Sequence, residues 1–320
     1  MKNLALFLAC LASGTMLASC TQQQPDRPEA SPITFSPSAL PPTKAPVEGS
    51  TFPEGRSFVV SSYYYATDGG TSGNYFSGLT FSKNGSTWSA DKYWPLGGAL
   101  DFLAFSSPDL GVSASYNGAT VSTQVALIVP DNSTVQEDIL YGYTAQTPMT
   151  NSVAINFLHA QALICFKAKS SIAYNATTNT GITVTGITLN SASYSGTCTI
   201  GHGSCSWEAL GPGKNLEVPG LNSTNLGTSY SDVLGTGILV PVQSCTSATI
   251  TYTLHNGKQA NGSDQNMTGL VKTVTLTADG SMWQAGNRYT YQIDITQHGV
   301  SISPVVSPWI EATTATVNIP

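Results

Sequence analysis

Charge is what this sequence has least of. Only 9% of its 320 residues are Asp, Glu, Lys or Arg, against 41% hydrophobic, so hydroxyl and amide groups must cover much of the surface. The 12 basic residues never form a run and the formal charge is −6, which leaves no electrostatic footprint for a phosphate backbone and argues against nucleic acid as a partner. Beyond the N-terminus no apolar stretch approaches the ~20 residues of a membrane-spanning helix. No segment sustains a 3.6-residue apolar period for helix length either, which removes helical folds. HExxH, GxSxG, a P-loop, a strand-linked GxGxxG and an EF-hand loop are all missing. The four histidines, His159, His202, His255 and His298, are scattered. Glu137 and Asp138 are adjacent, so on a strand they face opposite sides and cannot share a substrate. The chain therefore reads as a non-enzyme, with no cofactor and no resident metal.

The first twenty residues, MKNLALFLACLASGTMLASC, have the form of an export signal: Lys2, an apolar run from Leu4 to Leu11, then small residues. They end in Leu17-Ala18-Ser19-Cys20, a lipobox, so residues 1–19 are expected to be removed and Cys20 to carry lipid. Several acyl chains hold a protein to a membrane far more firmly than one, which implies a membrane tether. Cys10 leaves with the signal, so Cys165, Cys198, Cys205 and Cys245 enter an oxidising compartment. Cys198 and Cys205 enclose a segment with two glycines, and that pair is the first choice for a disulfide, leaving Cys165 with Cys245. A rival reading takes Cys198, His202 and Cys205 as zinc ligands, with a fourth from Cys165 or Cys245.

Residues 20–50 read as a lipidated, proline-rich linker with one short strand at Ile33-Thr34-Phe35. Short β-branched and aromatic runs follow, among them Phe58 to Tyr65, Leu100 to Phe105, Ala154 to Lys167, Gly181 to Leu189 and Tyr289 to Ile295. Turn pairs such as Asn84-Gly85, Asn117-Gly118 and Asn256-Gly257 punctuate them. The pattern predicts an all-β chain of two tandem antiparallel β-sandwich domains, over residues 51–150 and 151–320, joined near Thr147-Pro148-Met149-Thr150. His159, inside an apolar run, reads as a packed, hydrogen-bonded core or interface residue. Tyr63, Tyr64 and Tyr65, with Trp88, Tyr93 and Trp94, are candidates for a sugar-stacking face, although alternation sends Tyr63 and Tyr65 to one side and Tyr64 to the other.

Several pieces, taken in order, resemble the fimbrillins, the lipoprotein pilins of type V pili. They are the Ile33-x-Phe35 strand after Cys20, Thr43-Lys44-Ala45 where relatives often show Thr-Arg-Ala, YWPLGGALDFLAFSSP from Tyr93 to Pro108, and Asp138-Ile139-Leu140-Tyr141. Ile155 to Ala160 running into Ile164-Cys165-Phe166, Trp283 to Tyr291, and a late Pro308-Trp309 complete the match. The resemblance implies transthyretin-like (immunoglobulin-like) sandwiches, export as an outer-membrane lipoprotein to the cell surface, proteolytic loss of the first strand, and addition of a strand from another subunit. Other pilus subunits and a host or bacterial surface receptor are the implied partners. Lys44 stands where relatives carry arginine, with Arg56 further on, so these two are the candidate processing residues. Ala315, Val317 and Ile319, alternating with Thr316 and Asn318, form the candidate donor strand. The alternative is a monomeric surface lipoprotein that binds carbohydrate or protein ligands.

Overall fold

The structure is a computed structural model, and it describes residues 30–38, 52, 55–67, 69–106, 114–117, 120–125, 136, 138–201, 203–231, 234–245, 247–276, 282–297 and 300–308. Every regular element among them is a strand. The first nine are β1 (Pro32–Ser38), β2 (Phe58–Tyr65), β3 (Gly73–Asn84), β4 (Thr87–Tyr93), β5 (Ala99–Ser106), β6 (Ala114–Asn117), β7 (Thr120–Val125), β8 (Leu140–Gln146) and β9 (Val153–His159). Seven of these close a barrel in the order β1-β4-β3-β2-β5-β8-β9. Alternation builds it: Val153, Ile155 and Phe157 of β9 point inward while Ala154, Asn156 and Leu158 face out. The closure rests on β1, which lies antiparallel to β4 and parallel to β9.

The second half contains β10 (Ala162–Ser170), β11 (Thr180–Ser193), β12 (Gly196–Ile200), β13 (Cys205–Glu208), β14 (Gly213–Glu217), β15 (Thr224–Asn225), β16 (Ile238–Val240), β17 (Ser247–Lys258), β18 (Asp264–Thr275), β19 (Asn287–Ile295) and β20 (Val300–Pro308). One sheet runs β16-β10-β19-β20 and the other β14-β11-β17-β18, with β15 beside β11. Between them lies a core that includes Ile164, Phe166, Val184, Ile250, Trp283 and Tyr291. β10 is buried on both faces, because Leu163 and Cys165 pack with Leu239 on the side away from that core.

A third sheet ties the halves together. The β6-β7 hairpin from the first half pairs with the β12-β13 hairpin from the second, in the order β13-β12-β7-β6. Beneath it Leu103, Phe105, Ile139, Tyr141, Ala160, Cys198 and Ile200 form a cluster with residues from both halves. Buried polar contacts lock the joint: Trp207 Nε1 donates to Ala160 O at 2.6 Å, and Ile139 N donates to Gln161 Oε1 at 2.9 Å. Gln136 reaches further, donating to Gly237 O at 2.8 Å and accepting from Leu239 N at 2.7 Å.

The chain is all-β, and it departs from the expected layout in four ways. The pairs β1/β9 and β10/β19 are parallel, so the sheets are not purely antiparallel. The first half closes into a barrel, since β1 joins what would otherwise be two edges. Thr147–Thr150 is a turn inside that barrel, because β9 pairs with β8 and β1; the crossing into the second half comes at Ala160-Gln161. Asn256-Gly257 lies within β17 beside a register shift, and the hairpin turns later, with Gln259 N donating to Ser263 O.

Gly98, between β4 and β5, has φ +82°, and a Cβ there would lie 2.4 Å from Tyr64 Cε2 and 2.5 Å from Tyr65 O. Gly98→Ala is expected to destabilise the protein by about 2–4 kcal/mol, combining a left-handed backbone with an overpacked contact. Urea denaturation checks this; a change under about 0.5 kcal/mol would contradict the packing described.

Candidate functional site

The site is the place occupied by β1. Its sequence PITFSPS alternates so that Ile33 and Phe35 are fully buried while Pro32, Ser36 and Ser38 are exposed. The Phe35 ring meets Phe58, Phe81 and Phe102 at centroid distances of 5.7, 4.9 and 5.1 Å, edge-on in all three cases. Those three rings come from β2, β3 and β5, so one side chain of β1 contacts the wall of the barrel across its interior. Phe52 packs in the same core, 4.9 Å from Phe157 and 5.6 Å from Trp88.

Polar contacts fix the strand at its flanks. Thr34 Oγ1 and Ser152 Oγ are 2.9 Å apart, Ser38 Oγ donates to Asn156 Oδ1, and Trp94 N donates to Ser31 O at 2.9 Å. Where β1 begins, a cavity of about 190 Å³ lies among Ala30, Ser31, Trp94, Leu96 and Met149. Pro32 and Pro37 bring no N–H to the ladder, and prolines inside a strand usually mark an edge. β1 is paired on both flanks, with Ile33 and Phe35 as its fully buried side chains. Without it, β4 and β9 would present unpaired N–H and C=O groups on either side of an apolar groove.

The two candidate processing residues differ in setting. Lys44 lies outside the described residues. Arg56 is half-buried at the entry to β2, and its carbonyl accepts from Trp88 Nε1 at 3.0 Å, so the bond after it is tied to the core. Ala315, Val317 and Ile319 also lie outside the described residues, as do Cys20, His202 and Glu137. Among the described strands β20 pairs only with β19, and its Val305 and Val306 are exposed.

None of the four described cysteines is in a disulfide. Cys198 and Cys205 are on neighbouring strands, but Cys198 faces Trp207 and Cys205 faces Ile200. The two are therefore diagonal neighbours, and such Cα atoms lie about 7–8 Å apart, beyond the usual disulfide span of roughly 4.4–6.8 Å. Their side chains hydrogen-bond, which holds the Cys198 proton in place and lowers the Cys205 thiol. The expected pairing of Cys165 with Cys245 is not made. Cys165 sits with Leu163 and Leu239, whereas Cys245 lies in the sandwich core and donates to Asn190 O and Ser247 O. Among the described residues no cluster of His, Cys, Asp and Glu is placed to hold a metal ion.

His159 is 4% exposed and its Nδ1 lies 3.1 and 3.0 Å from the two Asp138 oxygens, a buried pair at the joint. The sugar-stacking candidates disperse. Trp88 and Trp94 are buried in the barrel core, and Tyr64 packs against it. Tyr63 and Tyr65 do share the outer face, with ring centroids 5.0 Å apart, and Tyr65 OH donates to Asp101 Oδ2 at 2.9 Å.

Burial above all, then the Cys205 and Cys198 thiols, pushes the Tyr141 phenol up to about 12; burial followed by the Asp101 charge does the same for Tyr143. Between pH 10 and 12 the unfolded chain gives up these two protons while the folded chain keeps them, so stability falls as pH rises through that window. Tyr141→Phe and Tyr143→Phe should each flatten this alkaline loss relative to wild type. Urea midpoints measured from pH 9 to 12 check it, and an unchanged slope would contradict the environments described.

Solved structures of several bacterial surface proteins resemble this fold. One is a fimbrial protein from Bacteroides vulgatus, with 16% identity and a TM-score of 0.64 over 86% of this chain and 99% of that one. Candidate cell-adhesion proteins from Bacteroides uniformis (14% identity, TM-score 0.54, 87% and 98%) and Bacteroides ovatus (12%, 0.52, 88% and 99%) follow. At such identities the likeness concerns the fold alone. No curated protein matches the sequence. The sequence does match the fimbrillin-like family over residues 43–309, most of its length, and the chain belongs to that family.

Proposed function

We propose that this protein is a structural subunit of a cell-surface pilus, delivered as an outer-membrane lipoprotein through Cys20 and assembled by strand exchange once β1 is removed. The observation that carries the reading is the position of β1 between β4 and β9, with Ile33 and Phe35 as its two buried side chains. Loss of that strand turns a closed barrel into one with two unpaired edges over an apolar slot, which templates a replacement strand. Main-chain bonds would supply continuity, and the period-2 pattern would set register.

Cleavage belongs in the stretch 39–50, at Lys44, rather than at Arg56. A cut there leaves Phe52 in the core, whereas a cut after Arg56 would detach Phe52 and break in beside the Trp88 hydrogen bond. Ala315, Val317 and Ile319 are the donor side chains of this reading, and the assembled pilus serves adhesion to a host or bacterial surface. The role is mechanical rather than catalytic. The alternative, a monomeric surface lipoprotein that binds carbohydrate or protein ligands, loses to the core the two tryptophans of its carbohydrate-binding form.

The test inserts a specific protease site within residues 39–50 of the purified mature chain. Cutting should release the β1 peptide and open a groove that takes up an added strand peptide in a complex that withstands detergent, while uncut protein takes up none. A cut protein that keeps β1 bound and takes up no added strand, under conditions where Phe35→Ala lowers uncut stability by about 3–5 kcal/mol, would sink the reading.

A further inference from the structure

We infer that the groove under β1 is keyed to an aromatic side chain, so that its partner is a different subunit whose donor strand carries an aromatic ring two residues from a β-branched one, and not a second copy of this chain. The inference rests on the strand-exchange reading above and specifies the occupant. The Phe35 position is a socket with rings on three sides, from Phe58, Phe81 and Phe102, and interplanar angles of 81°, 89° and 88°. Edge-to-face contacts of this kind add to the burial of area, and only another flat ring can make them. The adjacent Ile33 position is also fully buried and takes a branched aliphatic.

Register is set on both flanks. Phe35 stands opposite Trp88 on β4 and Val153 on β9, so a one-residue slip would turn a polar side chain into the socket. The segment from Ala315 to Ile319 of a second copy offers only Ala, Val and Ile on its apolar face. Its interior has no proline, so it would restore N–H donors that Pro32 and Pro37 lack, each worth roughly a fivefold gain. Three lost ring contacts and the smaller apolar area outweigh two such bonds, leaving the aliphatic strand weaker by on the order of tenfold or more.

The experiment uses the full mature chain, cut within residues 39–50, with fluorescent peptides competing for the groove. Four peptides are compared by anisotropy: residues 30–38, the same with Phe35→Val, residues 312–320, and the latter with Ile319→Phe. The 30–38 peptide should bind at least about tenfold tighter than its Phe35→Val form and than 312–320, and Ile319→Phe should recover much of the difference. Equal binding of 30–38 and 312–320, or of 30–38 and its Phe35→Val form, would overturn the aromatic key while leaving strand exchange standing. If even 30–38 fails to bind, the strand-exchange reading falls and the key with it.

Discussion

The packing of Phe35 among Phe58, Phe81 and Phe102 is the contact on which the first half depends. It brings β1 to the centre of the barrel wall, and the strand then joins β4 to β9 and removes both edges at once. A sheet of this size with two open edges and an apolar interior would invite association with other chains. One short strand suppresses that, and it does so with two buried side chains and two prolines that contribute no ladder donor. The strand closes the barrel through its side chains, while its two prolines bring no N–H to the ladder.

The rest of the molecule supports that division of labour. The shared antiparallel sheet β13-β12-β7-β6 and the cluster beneath it hold the halves together independently of β1. Gln136, Gln161, Trp207 and the Asp138–His159 pair satisfy buried polar groups at the joint, where an unpaired group would be costly. None of these contacts involves residues 30–38. A change at β1 therefore need not disturb the joint or the second core, which is what a subunit that trades one strand for another requires.

Much of this was legible in the residues, and the failures share a cause. The run from Phe58 to Tyr65 is β2 to the residue, and alternation correctly divided Tyr63 and Tyr65 from Tyr64. Ile33-Thr34-Phe35 was readable as a strand. Its closing role was not, because its partner on β9 lies 118 residues away and the pairing is parallel. The domain joint was misread because β9 and β10 form one apolar run broken only at Ala160-Gln161, and no turn residue marks the passage between halves. Trp88 and Trp94 looked like surface aromatics because nothing local reveals which face of β4 and its exit is roofed by Phe52 and β1. The cysteine pairing failed for the same reason: spacing brought Cys198 and Cys205 to adjacent strands but could not fix their two-residue offset.

The central claim is that β1 is a temporary plug, and the mature N-terminus of the protein recovered from the cell surface tests it most directly. Mass spectrometry should find chains that begin within residues 39–50, with Cys20 and Ile33 to Phe35 absent. Surface protein that begins uniformly at an acylated Cys20 and retains β1 would contradict the account.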